Sequence, residues 1–459
     1  MEVPQKGVLD DKTAIETVTE AHYFRNYLYS LVRGMTTGAY VYSTEIQCDQ
    51  FVGLSSNGGR GGALSLGTLN SATSEIEGVF SGCYARIANC NYFLEKAQAL
   101  LDGGTLSEED VIAIDRYIGE AKFVRAYSYF YLFDHYCQTY EESKGDTPAL
   151  GLQLVTVYDP TGDTSKYPGR STMNETLALI DQDLADAYIA LKAYEDLGYV
   201  ENYEAGAPYL STYTVKALQA RIALVTGRYD DAIKLAQDVI NSGFYTLAAG
   251  ADFAKIWTEG NVKELIFQPY VDVYESAGIS STCQGWNYWW SNSTQCDQIP
   301  GEEALQIYAV NGRPLATDYR FSAYFKKMTM NGSNGPIQAY AFNKWPGDAS
   351  LSQSTNMYLN KPKPFRIAEQ YLIVAESAAM IGNTELALKT INTLRKARTR
   401  AFANIEGISG EELIQFVRDE RSRELIGEGF RLSDLRRWKA SWTRNIPYTL
   451  LTGVEESFN

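Results

Sequence analysis

The chain has 459 residues, a formal net charge of −15 and 45% hydrophobic residues, with 33 tyrosines and 7 tryptophans. That length suits two or three average domains or one large repeat-like body. No lysine and arginine cluster makes a basic face, which argues against nucleic acid or anionic lipid as the main partner, and no run of about 18 apolar residues could span a membrane as a helix.

The opening "MEVPQKGVLDDKTAIE" lacks the basic end and apolar run of a secretory signal. Helical periodicity covers about Lys12–Tyr29 and Glu75–Leu101, and "SSNGGRGGALSLGTLNSAT" between them reads as a Gly/Ser/Asn loop. "IDRYIGEAKFVRAYSYFYLFDHY" and "TMNETLALIDQDLADAYIAL" then have the length and period of two further helices. A weak internal repeat follows. "ALQARIALVTGRYDDAIKLAQDVI" (Ala217–Ile240) and "YLIVAESAAMIGNTELALKTINTL" (Tyr371–Leu394) each place a helix of small and apolar residues before a glycine, Gly227 or Gly382. Five residues on, Ala232 or Ala387 opens a second amphipathic helix. Small residues let antiparallel helices approach and glycine ends the first, which is the logic of a tetratricopeptide-like pair.

After about Ala248 the texture changes to Gly, Asn, Ser and Pro with only short elements such as "KELIFQPY", and periodic helix resumes at about Arg366. The expected fold is therefore mainly α. A helical-repeat scaffold over 1–248 is interrupted by a loop-rich insertion over 249–364 and completed by C-terminal helices over 365–459. Loops on a rigid scaffold are the usual place for recognition.

Tests for catalysis are negative. Only His22 and His135 are present, each within a helical aromatic segment, and no H-E-x-x-H, G-x-S-x-G, Walker A or G-x-G-x-x-G pattern occurs. Asp159 and Asp163 in "DPTGD" give only a weak hint of calcium, and no cofactor is expected. The six cysteines have no zinc-type spacing. Cys83 and Cys90 are too far apart along a helix to pair, whereas Cys283 and Cys296 bracket an aromatic loop and could staple it.

One stretch puts charge where apolar residues belong. "ERSRELIGEGFRLSDLRRW" continues the inward stripe of Leu413 and Val417 with Glu420 and Glu424, interleaved with Arg421 and Arg423. It is either an active site or a buried ion network. Neighbouring arginine lowers a carboxylate's pKa and removes it as a general acid, so Glu420, Arg421, Glu424, Arg431 and Asp434 are expected to be structural. A glycosidase, which needs just two carboxylates, is disfavoured on the same ground.

Ligand contact is expected from two loops instead. "QGWNYWWSNSTQ" carries Trp286, Tyr288, Trp289 and Trp290 among Asn and Ser. In a strand, Trp286, Tyr288 and Trp290 would share one face and Trp289 the other. Exposed aromatic planes suit the C–H face of a sugar ring. In "LSSNGGRGG", Asn57, Arg60 and the backbone amides supply donors for sugar hydroxyls. Trp257 and Trp438 lie in scaffold-like segments and are expected to be structural.

These pieces resemble the SusD/RagB family of Bacteroidota outer-membrane lipoproteins along nearly the whole chain. The family ends in E-R-x-R-E-L, G-E-G or F-E-G, a following Arg and D-L-R-R-W, seen here at Glu420–Leu425, Gly427–Gly429, Arg431 and Asp434–Trp438. Upstream, "YLIVAESAAMIGNTELALKTINTLRKARTRA" resembles its Y-L-I-x-A-E helix pair with N-x-x-R-x-R, here Asn392 and Arg395, with Arg398 one position beyond the second arginine. "GEAKFVRAYSYFYLF" and "PGRSTMNETLALIDQDLADA" resemble its A-x-F-L-R-A-x-x-Y-F and G-R-x-T…I-x-x-D-L-x-x-A segments. The resemblance implies a scaffold role for the charged stretch, a cell-surface position held by a lipidated N-terminal cysteine, and a SusC-like TonB-dependent transporter as partner. It implies binding without cleavage of oligosaccharides, or of peptides in the RagB branch. No lipid-bearing cysteine precedes Glu2; membrane contact is expected only through such an anchor on a full-length precursor.

Overall fold

The computed structural model describes residues 14–53, 62–260, 262–272, 298–309, 317–332, 335–351, 359–400 and 402–442. The fold is mainly α. Its first helices are α1 (Val18–Met35), α2 (Ala39–Ile46), α3 (Gly62–Leu66), α4 (Ser74–Asp102), α5 (Glu108–Tyr136), α6 (Met173–Glu195), α7 (Thr212–Val225) and α8 (Tyr229–Ile240). After α9 (Lys255–Thr258) come α10 (Glu302–Gln306), α11 (Tyr319–Tyr324), α12 (Ile367–Met380), α13 (Thr384–Arg398), α14 (Gly410–Leu425) and α15 (Arg431–Arg437). Three antiparallel strand pairs complete the described residues: β1 (Phe51–Gly53) with β3 (Gln298–Pro300), β2 (Leu265–Phe267) with β6 (Phe365–Arg366), and β4 (Phe325–Gly332) with β5 (Gly335–Phe342).

Two compact units emerge. The first comprises the chain up to Val32, Phe80–Asn202 and Leu210–Val215; the second comprises Arg33–Val79, Tyr203–Tyr209 and the chain from Lys216 on.

In the first unit, α1 starts at Val18, later than its periodicity suggests, because Thr17 caps it: the Thr17 hydroxyl accepts from Glu20 N and donates to Glu20 Oε2. Helix α5 starts behind Ser107, whose side chain accepts from Asp110 N, and α6 opens with a full Thr172/Glu175 capping box. These two helices lie against each other at Gly119, where a β-carbon would fall 2.6 Å from Ala190 Cβ. Ion pairs lock the bundle. Arg125 grips Asp183 through Nε and Nη2 at 2.8 and 2.7 Å and reaches Asn91 Oδ1 with Nη1 at 2.8 Å. Glu120 is held by Arg25 and by Arg116.

The second unit contains the two repeated hairpins, α7–α8 from Lys216 on and α12–α13. Each first helix ends on a glycine with left-handed φ, 74° at Gly227 and 79° at Gly382. In both, the glycine N–H reaches back three residues (to Leu224 O and Ala379 O) and the next N–H five (Arg228 to Ala223 O, Asn383 to Ala378 O). This is the same Schellman closure twice. Between the hairpins, Ala220, Ala223, Ala232 and Ala236 pack against Ile373 and Val374. Arg221 crosses from α7 to α12, donating to Glu369 at 2.6 and 2.7 Å and to Pro364 O. A further core of Ala375, Ile391, Leu394, Leu413 and Val417 seats α14 on α12 and α13.

One helix arises where the sequence reads as loop, and another in a stretch to which the sequence assigns no element. Helix α2 has polar and aromatic residues without a clear stripe, and α3 spans one turn inside the Gly/Ser/Asn segment; Ile46 and Leu64 bury both in one core with Phe51 and Trp257. Cys48, Cys83, Cys90 and Cys137 are buried; Cys283 and Cys296 lie outside the described residues.

Candidate functional site

The charged stretch of α14 and α15 is buried at the centre of the second unit. Glu424 has no exposed surface, and its carboxylate accepts from Arg398 (2.9 and 3.0 Å), Arg366 (3.0 Å) and Arg320 (3.1 Å). Glu264 accepts from the same Arg366 and Arg398 at 2.7 and 2.8 Å, so two carboxylates and two guanidiniums alternate. Glu420 sits one turn back, bound to Arg320 and Arg423 at 2.8 Å each, and Arg320 is itself held by Asp318. Burial pushes the Glu420 carboxyl up, but Arg320, Arg423 and Arg395 outweigh it and hold it at about 2. Glu424 is likewise held well below the ordinary carboxylate range, against burial, by Arg398, Arg366 and Arg320.

On the other side of α14, Arg421 Nε donates to Asp434 at 2.8 and 2.9 Å, and Arg437 joins Asp434 to Glu376. Arg431 is nearer the surface and forks onto Asp49 at 2.7 and 2.6 Å. Carboxylates kept ionised by arginine accept hydrogen bonds and fix geometry; they do not deliver protons.

The glycines of the stretch form an anion cradle. Glu45 of α2, fully buried, accepts from the backbone N–H of Gly427 (3.1 Å), Gly429 (2.7 Å), Phe430 (2.9 Å) and Arg431 (3.3 Å). Gly427 has φ 73°, and a β-carbon there would meet the Phe342 ring at 2.3 Å. Lys344 lies beneath, donating to the carbonyls of Glu424 and Ile426 and to Glu428 at 2.6 Å, with its Nζ 4.1 Å from the Tyr324 ring centre. Sequence reasoning missed Glu45, Glu264, Asp318, Arg320, Lys344 and Arg366; no motif marks them, since they become partners only through the fold.

This framework reaches the expected ligand loops. Phe342, under Gly427, meets Phe51 edge-on with centroids 5.1 Å apart. Phe51 opens β1, which pairs with β3 in the register Phe51↔Pro300, Val52↔Ile299, Gly53↔Gln298. Gln298 is also tied to α3 through Ser65 Oγ at 3.1 Å. Gly53 is the last described residue before the segment carrying Asn57 and Arg60, and Gln298 the first after the one carrying Trp286, Tyr288, Trp289 and Trp290. All six side chains lie outside the described residues, while the roots of the two segments are paired neighbours.

The remaining candidates are readily placed. Trp257 is buried between Trp345 and Tyr324, with ring centroids 5.1 and 5.6 Å away, and Trp438 Nε1 donates to Glu376 at 2.6 Å. His22 contacts the Tyr117 hydroxyl and His135 the Tyr131 carbonyl, both at 3.0 Å. Asp163 caps a short turn through Ser165, and Asp159 faces Lys166 at 3.8 Å. Among the described residues no cluster of three or more His, Cys, Asp or Glu forms a metal cage.

Comparison with known proteins decides the family. Residues 307–456 match the SusD family profile, and residues 9–213 match a second profile described as "Starch-binding associating with outer membrane". The chain belongs to the SusD/RagB family. Its fold recurs in a SusD superfamily protein from Bacteroides thetaiotaomicron (20% identity, 96% of this chain and 94% of that one covered, TM-score 0.78). It recurs too in a putative sugar binding protein from Bacteroides vulgatus (20%, 94% and 89%, TM-score 0.74) and in a SusD-like carbohydrate binding protein from the same species (19%, 94% and 85%, TM-score 0.74). No curated protein matches by sequence. Read as a SusD-like chain, the separate motif segments prove to be partners: Arg125 with Asp183, Glu376 with Arg437 and Trp438, and Arg398 with Glu424.

Proposed function

We propose that this SusD-like chain is a non-catalytic cell-surface protein that captures oligosaccharides and delivers them to a SusC-like TonB-dependent outer-membrane transporter. The observation that carries the site is the pairing of Gly53 with Gln298. It roots the Asn57/Arg60 segment, four to seven residues after Gly53, and the Trp286–Trp290 segment, eight to twelve residues before Gln298, at neighbouring backbone positions, which supports a ligand shared by the two. Family membership supports the ligand class and the association with the outer membrane, and a lipid anchor on the precursor would hold the protein there; among the described residues no helix is long and apolar enough to cross a membrane. The domain reading that goes with this is a helical scaffold with a ligand-binding insertion over 249–364.

The test is a binding screen of the purified chain against oligosaccharides and peptides, with product formation followed in the same samples. Oligosaccharide binding without new products is expected. Peptide binding alone would transfer the protein to the RagB-like reading, and released sugars would make it a hydrolase.

A further inference from the structure

The first unit holds a cleft that this reading does not use. Its volume is about 480 Å³, within the roughly 300–1,000 Å³ of small-molecule sites. One wall is a single face of α1, where Glu20, Tyr23, Phe24 and Tyr27 recur at the three- and four-residue spacings that align side chains along a helix. Opposite, α4 contributes Asn89 and Tyr92, and Tyr158 closes one end. The floor is fixed by packing. Phe24 stacks on buried Phe93 with centroids 5.6 Å apart and planes 11° from parallel, and Tyr92 meets Tyr158 edge-on at 5.0 Å. The rim is open: Tyr23 is 66% and Tyr27 45% exposed, one helical turn or about 6 Å apart along the axis.

The polar atoms restrict the occupant. Glu20 Oε2 already accepts from Glu16 N and Thr17 Oγ1, both at 2.9 Å, which leaves Oε1 as an acceptor. The same bonds, that from Glu16 first, lower its pKa and keep it charged. Asn89 donates one Nδ2 hydrogen to Ala85 O at 2.8 Å, which leaves its carbonyl oxygen and its second N–H. A ligand that fits therefore brings hydrogen-bond donors for the Glu20 and Asn89 oxygens and an apolar face for the rings. Glu20 repels anions. An ammonium ligand would satisfy Glu20, but over rings this exposed a cation gains little, because water screens it. A sugar ring presents hydroxyl donors at its edge and C–H groups on its face, and successive rings can lie along successive tyrosines.

We propose that the cleft between α1 and α4 is a second carbohydrate-binding site, with a short glycan lying along Tyr23 and Tyr27 and donating hydroxyls to Glu20 and Asn89. The ligand class rests on the capture reading; the place does not.

The experiment is fluorine NMR of the full chain labelled with fluorotyrosine, with Tyr23→Phe and Tyr27→Phe assigning two resonances. Maltohexaose, cellohexaose, xylohexaose, mannohexaose and choline are titrated in turn, and hexasaccharide binding is measured in parallel by calorimetry. At least one hexasaccharide is expected to shift both resonances, and Tyr23→Ala with Tyr27→Ala to weaken that binding phase at least tenfold while any phase due to the tryptophan segment persists. A hexasaccharide that binds by calorimetry and leaves both resonances unmoved overturns this site alone. Binding of none overturns the capture reading and this site together, and shifts with choline only overturn the sugar assignment.

Discussion

Arg437 grips Glu376 through both terminal guanidinium nitrogens, Nη1 to Oε1 at 2.6 Å and Nη2 to Oε2 at 2.7 Å, and Trp438 Nε1 closes on the same carboxylate at 2.6 Å. The pair joins α15 to α12 across 61 positions of sequence and is almost wholly buried. Removing one partner strands the other charge without water, which costs about 3–5 kcal/mol. Glu376→Ala should therefore lower the denaturant midpoint by that equivalent. Arg437→Lys keeps the charge but loses the planar fork, so it should fall between the parent and Glu376→Ala. An unchanged midpoint in Glu376→Ala would refute this role.

Burial ranks the substitutions within the C-terminal stretch. Glu424 is fully enclosed and serves three arginines, whereas the Arg431–Asp49 pair keeps 14% and 22% of its side-chain surfaces in water. Glu424→Ala should cost about 3–5 kcal/mol or abolish folding; Arg431→Ala should cost roughly 1–3 kcal/mol. Thermal melts of the two variants read the order directly, and equal losses would show that burial does not set the scale here.

Two pH dependences of opposite sign follow. Glu420 is held at about 2 and Glu424 and Asp434 below their ordinary values. The folded state thus binds fewer protons than the unfolded one. Their contribution is full above about pH 4.5 and is lost as pH falls toward 2. Glu45 is the reverse: burial pushes it up to about 7, against the pull of the Gly427, Arg431 and Gly429 N–H groups and of Lys344. Its contribution is full below about pH 4.5 and is lost as pH rises through 7, with a slope approaching about 1.4 kcal/mol per pH unit for one proton. His22 lies below its ordinary value and slopes the other way near neutrality, but it is common to parent and Glu45→Gln. The difference between their stability curves from pH 5 to 7 should therefore carry the Glu45 slope, and a flat difference would contradict it.

The scaffold was legible where chemistry is local. Gly227 and Gly382 close equivalent hairpins, and arginine beside Glu420 and Glu424 announces pairing, whereas the Thr17 cap of α1 went unread behind a periodicity that reaches back to about Lys12. Helix α2 was not legible, because its reason to exist is remote: Glu45 accepts from backbone amides more than 380 residues away, at Gly427 and Gly429. Glu264 and Arg366 are equally unmarked, since neither is part of a periodic pattern and their partners, Arg366 and Arg398 for the one and Glu264, Glu424 and Glu428 for the other, are assembled only by the fold. For the ligand loops, composition suggested what they touch, and the Gly53↔Gln298 pairing adds only where they are rooted.

A surface capture protein imports nothing without a pore. Affinity isolation of the full-length protein from native outer membranes, solubilised in mild detergent, should recover a large β-barrel transporter. The chain's net charge of −15 implies that positive charge on this chain does not drive the association. Recovery from the cytosol with no barrel would overturn the delivery reading.

The capture site itself is tested at its aromatic segment. Trp286, Tyr288, Trp289 and Trp290 stand within five positions among polar residues, and the segment rejoins the described backbone at Gln298 beside Gly53. Among the described residues, Trp257 and Trp345 are the buried tryptophans of the core. Replacing Trp286, Trp289 and Trp290 by Ala should thus leave the thermal transition close to that of the parent. Each stacking contact contributes about 0.5–1.5 kcal/mol, and about 1.4 kcal/mol is a tenfold change in affinity. Two or three lost contacts should take a weak glycan complex below detection in calorimetry, and Asn57→Ala or Arg60→Ala should weaken it less, because each removes hydrogen-bond donors and no stacking ring. If the triple variant folds and binds the same oligosaccharide as tightly as the parent, the tryptophans are not the platform and the ligand sits elsewhere.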